Sequence, residues 1–232
     1  MEIIDLKNFS SSILPTSSDS TTPSLQVTDI KPAVKNPNRV NIFIDNKYSF
    51  SLDLAQVIDF KLKVGTPLTQ DDLTKYQHAS TFGKLYQRTL EWVLTRPRSI
   101  KETKDYLRKK IAEQKTDLTD TDQNLIIDRL RTKNYLNDQK FAEHYVENRF
   151  LKKGISARRL RQELTKKGID KDTIDQTLHS TTRTDATEIQ KLIAKKRTSY
   201  DDQKLIQYLI RQGFDYDLAK TAVRETDLQN SE

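Results

Sequence analysis

The chain has 232 residues, 34% apolar and 31% charged: enough length for one large or two small domains, but little core-forming material, so an extended helical array fits better than a compact globule. The absence of cysteine excludes disulfides and thiolate chemistry, and a net charge of +7 points to acidic partners. No apolar run approaches the roughly 20 residues that span a bilayer, and the start MEIIDLKNFSSS lacks the basic and apolar regions of a signal peptide, so a cytoplasmic protein with no membrane partner is expected.

Residues 1–24 are dominated by Ser and Thr and cannot bury enough apolar surface to offset their ordering entropy, which predicts a disordered tail. A short strand, LQVTDI (25–30), is closed by Pro32. RVNIFI (39–44) and KYSFSL (47–52) then alternate apolar and polar residues around Asp45-Asn46, two residue types that tolerate the positive φ of a tight turn. A small antiparallel hairpin or sheet follows from this. Asp53 caps a helix through about Lys63, with Leu54, Val57, Ile58 and Leu62 on its apolar face and Gly65 and Pro67 ending it. Thr69 opens the next helix, with Asp72 completing a capping-box-like pair. Residues 25–81 therefore read as a small sheet plus helices. Through residue 81 there are eight basic and nine acidic residues, so the positive excess lies beyond it.

From Phe82 the sequence repeats. Ser156, Leu160, Leu164, Lys166, Gly168 and Ile169 align with Asp201, Leu205, Leu209, Arg211, Gly213 and Phe214, 45 residues later. Shifted 57 residues earlier, the same helix becomes Ser99 to Lys110, with Ser99 and Glu102 as a capping box and Leu107 matching Leu164. A polar insertion at 112–124 accounts for the longer offset. The reading is mainly α, with three-helix repeats at 82–138, 139–182 and 183–226, a tail at 227–232, and first helices near 82–95, 139–152 and 186–197. Stacked on one another, such units form a curved solenoid-like arm.

The stretch from Arg149 to Gly168 holds eight basic residues against one acidic residue, Glu163. Ser156 suits an N-cap and Gly168 a left-handed stop. Between them Ala157, Leu160 and Leu164 share one stripe, and Arg158, Arg159, Arg161 and Lys166 occupy the opposite side. Exposed cations on helices usually alternate with Glu at i,i+4, and only Glu163 can do so within this helix. Unpaired charge of one sign on a rigid element fits a polyanionic partner.

FSLDLAQVIDFKLKVG, RPRSIKETKDYLRKK, LIIDRLRTKNYLND, FAEHYVENRFLKKGISARRLRQELTKKGI and the weaker YDDQKLIQYLIRQGF together resemble the RecX family, regulators of the RecA recombinase, over residues 38–226. RPRS (96–99), YLND (135–138) and KKGIS through KKGI (152–169) are the most specific parts. The long Ser/Thr-rich start, the insertion, and YDD where other units carry Ser caps depart from the pattern. The resemblance implies a monomer that binds along the RecA-DNA filament and limits RecA activity in recombination and repair, meeting DNA non-specifically through the filament. It implies no catalysis and no cofactor. Candidate RecA or DNA contacts are Lys152, Lys153, Arg158, Arg159, Arg161, Lys166, Lys167, Arg96, Arg98 and Arg108.

Enzyme chemistry has little support. His78, His144 and His179 are dispersed, and five glycines leave no phosphate-cradling loop. Asp71-Asp72 and Asp201-Asp202 sit at helix starts, where capping explains them better than a metal. Trp92, Tyr86, Tyr106, Tyr135, Tyr145, Phe141 and Phe150 have the residue type that stacks on bases, but their spacing favours packing, least clearly for Phe150. An alternative function is a helix-turn-helix-like regulator with ARRLRQEL as recognition helix; a purely structural scaffold is a third, which would not need unpaired charge.

Overall fold

The structure, a computed structural model, describes residues 25–34, 36–152 and 154–229, except for the side chains of 150–152 and 227–229. The tail expected at 1–24 lies outside the described residues, as do Lys153 and the side chains of Phe150 and Lys152. Two compact units divide between Ser80 and Thr81.

The first unit is built on a sheet of β1 (Leu25–Ala33), β2 (Asn36–Ile44), β3 (Lys47–Asp53) and β4 (Pro67–Leu68), in the order β3-β2-β1-β4, with every pairing antiparallel. Asp45 and Asn46 both take positive φ, 48° and 64°, so the β2–β3 turn twists with its strands. Alternation buries Val40, Ile42, Ile44, Phe50 and Leu52 with Val27, Leu62, Leu68 and Tyr76. Pro32 does not close β1. It pairs with Val40, and because β4 meets only Leu25 and Gln26, the strand is an edge at that point and tolerates a proline.

Asp53 and Gln56 form a capping box at the start of α1 (Leu54–Asp59), a helix shorter than the sequence indicates. Lys61, with φ 52°, turns the chain before the expected stop, and Gly65 N-H donates to the Val27 carbonyl at 2.7 Å, bringing β4 to the sheet. Two of the four expected apolar positions, Leu54 and Ile58, are consequently exposed, while Val57 and Leu62 pack on the core.

The helix opened by Thr69 does not end near residue 81. It continues as α2 (Gln70–Leu94), because no proline interrupts it, its one glycine, Gly83, is buried within the helix, and the Ser80 hydroxyl is occupied by donating to the Ser51 carbonyl at 2.6 Å. The second unit continues with α3 (Ile100–Gln114), α4 (Asp120–Thr132), α5 (Asp138–Lys152), α6 (Ala157–Lys166), α7 (Lys171–Ser180), α8 (Asp185–Lys196), α9 (Asp202–Arg211) and α10 (Tyr216–Gln229). Most of the expected insertion is helix: only 115–119 separate α3 from α4, Thr119 and Asp122 form a capping box, and Leu118, Asp122 and Gln123 are buried. α10 also continues to Gln229, past the start of the expected tail.

Three apolar clusters correspond to the three helix sets. The central helices contribute Leu107, then Leu160 and Leu164, then Leu205 and Leu209, all fully buried. Successive central helices meet end to start through one repeated device. Ser99 accepts from Glu102 N-H as the cap of α3 and donates to the Lys167 carbonyl at the end of α6, at 2.8 Å. Ser156 likewise accepts from Arg159 N-H and donates to the Gln212 carbonyl at the end of α9, at 2.9 Å. Beside each serine, a free helix-start N-H finds a carboxylate of the following unit: Ile100 donates to Asp138 and Ala157 to Asp185. Asp201, capping α9, accepts from Lys204 N-H and among the described residues meets no further unit; an acceptor-only side chain suffices there.

Candidate polyanion interface

The second joint shapes a cleft of about 470 Å³ between α6 and the end of α9. Arg158, Arg159, Lys166 and Arg211 line it, with Glu163, Gln162 and Gln212. Ser156 as cap and Leu160 and Leu164 as buried stripe fix the roll of α6, which turns Arg158, Gln162 and Lys166 outward. The lone carboxylate does little to neutralise this lining. Glu163 is held by Arg149 of α5 through two bonds of 2.8 and 2.7 Å, and by the Tyr145 hydroxyl at 2.8 Å. These contacts, the Arg149 hydrogen bonds foremost, hold its pKa down to about 2. Arg159 reaches Glu163 at 3.6 Å and donates to the Gln212 side chain. Arg158 and Lys166 have no carboxylate partner among the described residues.

The other candidates are more tied than the helix alone implied. Arg161 pairs with Asp175 of α7 at 3.2 Å, and Lys167 with Glu102 of α3 at 2.6 Å. Arg96 shares Glu102, at 3.2 Å, so Ser99 and Glu102 form only half the expected capping box. Burial works to raise the Glu102 pKa, but the hydrogen bonds from Lys167 and Arg96 outweigh it and leave the value lowered. Arg98 lies 3.9 Å over the Trp92 ring, and Arg108 is exposed and paired with Asp105 one turn away. The structure thus gathers Arg158, Arg159 and Lys166 in one cleft, joins Arg96 to Lys167 through Glu102, and leaves Arg98 and Arg108 elsewhere.

Residues 137–178, which run from the start of α5 into α7 and supply the α6 side of this cleft, match the family described as RecX, second three-helix domain, and residues 25–69 match the regulatory protein RecX N-terminal domain. Regulatory protein RecX of Bacillus subtilis is 34% identical over 220 residues, covering 89% of this chain and 79% of that protein. Its Bacillus licheniformis counterpart is 32% identical with the same coverage. The chain belongs to the RecX family. A RecX crystal structure superposes with a TM-score of 0.68 at 26% identity, covering 85% of this chain and 98% of the other. RecX from Lactobacillus salivarius gives 0.52 at 25%, covering 63% and 97%.

Two parts of the RecX cleft were absent from the sequence candidates. Arg211 was recoverable, since the repeat alignment places it opposite Lys166. The Arg149–Glu163 clamp was not, because it joins residues 14 apart on different helices. Among the described residues no His, Cys, Asp or Glu group could hold a metal, and no helix is long and apolar enough to cross a membrane. Asp72 and Asp201 serve helix starts. Of the aromatics, Phe141 is buried, Tyr86, Trp92, Tyr106 and Tyr145 are partly buried, and Tyr135 is exposed.

Proposed function

We propose that this RecX protein is a non-catalytic regulator that binds the RecA-DNA filament and restrains RecA recombinase and ATPase activity, with the α6–α9 cleft as part of its contact surface. The observation that carries this reading is the cleft: four cations line it, and its one carboxylate is already satisfied by Arg149 from outside. A surface of this kind gains by meeting phosphates or acidic side chains, and it requires no base sequence. The helix-turn-helix alternative is disfavoured by the joint. A recognition helix presents its N-terminal residues to base edges, whereas here the start of α6 is closed by the Gln212 carbonyl and Asp185.

RecA-dependent ATP hydrolysis on single-stranded DNA, titrated with this protein, tests the proposal. Hydrolysis should fall saturably and without preference for DNA sequence. Unchanged hydrolysis at saturating protein contradicts the reading, and activity confined to one DNA sequence favours the helix-turn-helix alternative.

A further inference from the structure

A second surface of the helical unit has different chemistry. A groove of about 260 Å³ lies where the end of α2 meets the segment between α4 and α5. Its apolar lining includes Leu94 and Tyr135, which are 62% and 43% exposed, together with Pro97. Single exposed apolar side chains are ordinary; two converging on one groove are less so. Three cations, Arg96, Arg98 and Lys140, line the same groove, and no carboxylate does. Arg96 is compensated by Glu102, but Arg98 and Lys140 have no carboxylate partner among the described residues. Among the described residues the Arg98 Nε is buried without a hydrogen-bond partner, and the guanidinium donates to the Thr95 hydroxyl at 3.2 Å.

We propose that this groove docks a protein segment in which a bulky apolar side chain is flanked by carboxylates. The apolar side chain would cover Leu94 and Tyr135, and the carboxylates would pair with Arg98 and Lys140. A nucleobase fits less well. The ring that would offer the best stacking platform, Trp92, already has Tyr106 stacked on it at 4.2 Å and 8° and the Arg98 guanidinium at 3.9 Å, so both faces are taken. The volume suits one or two side chains rather than a small-molecule ligand, for which pockets of roughly 300 to 1,000 Å³ are usual. This surface is separate from the α6–α9 cleft and does not depend on its role.

Trp92 is the single tryptophan of the chain and lies under the guanidinium of Arg98, a lining residue, so its emission reports on the groove. The probe is an acetylated, labelled peptide of two aspartates, leucine, phenylalanine and two glutamates, titrated into the full-length protein with anisotropy giving affinity and Trp92 emission giving location. Binding should be saturable and shift Trp92 emission. Leu94→Ser and Lys140→Glu should each weaken it by about tenfold or more while leaving the melting temperature unchanged, since both side chains are exposed. Should either variant prove unstable, Tyr135→Ser, also at an exposed side chain of the groove, takes its place. The proposal is overturned by no binding, by equal binding of a peptide with serines for leucine and phenylalanine, by unchanged affinity in the folded variants, or by an oligomer of eight thymidylates displacing the peptide and binding more tightly.

Discussion

At Glu163, Arg149 and Tyr145 of α5 and Arg159 of α6 converge on a carboxylate that lies four-fifths out of solvent. Its folded pKa, about 2, lies below the ordinary 4.5, so its stabilisation is present above 4.5 and is lost as pH falls through about 2. Glu163→Gln should cost about 1 to 2 kcal/mol near neutral pH, allowing for partial solvent screening at Arg149. The melting-temperature gap to wild type should narrow from pH 7 to pH 3, and an equal gap at both would remove this role. Ser156 offers a second test. Fully buried, it accepts from α6 and donates to α9, and Ser156→Ala should cost about 1 to 3 kcal/mol in denaturant unfolding. Asp201→Asn, at a cap that meets no further unit among the described residues, should stay within about 0.5 kcal/mol. Equal costs at the two positions would contradict the joint. The sequence marks both as helix caps; that Ser156 also bridges to Gln212 depends on a contact 56 residues away and leaves no local trace.

Among the elements, α6 matches its sequence reading from the Ser156 cap to the Gly168 stop because cap, stripe and stop all agree. Leu164→Ala should cost about 2 to 5 kcal/mol, since the side chain is fully buried among Phe141, Val146, Ile169 and Ile174, and an unchanged melting temperature would refute this packing. Gly168 has φ 82°, and an added Cβ would stand 2.7 Å from the Lys101 Cβ, so Gly168→Ala combines backbone strain with a clash at the first joint. Elsewhere local signals misled. α1 ends early because β4 must return to β1, a demand absent from the helix's own residues. The polar run at 112–124 is mostly the end of α3 and the start of α4, where polar residues cap and satisfy backbone groups. Arg161 is paired because α7 carries Asp175 alongside, a match that helix spacing within α6 cannot reveal.

At the scale of the whole molecule, the repeats set the location of charge: the positive excess lies beyond residue 81, and the α6–α9 cleft exists only because consecutive units abut. That cleft was half legible, since Arg158, Arg159 and Lys166 follow from the cap and stripe, while their closeness to Arg211 follows only from the stacking. A variant beginning at Leu25 should still fold and inhibit, because the first unit's described core starts at Leu25 and Val27; loss of inhibition would assign the tail a function. The central claim is tested most directly by the salt dependence of binding to RecA filaments on single-stranded DNA. Three proteins are compared: wild type, Arg158→Glu with Lys166→Glu, and a charge-matched control, Lys47→Glu with Lys63→Glu, at exposed sites of the first unit. The cleft variant should melt within about 0.5 kcal/mol of wild type, bind more weakly, most of all at low salt, and flatten the logarithmic salt slope by roughly one to two units, while the control stays near wild type. Equal weakening by both pairs would make net charge responsible and contradict the cleft's role.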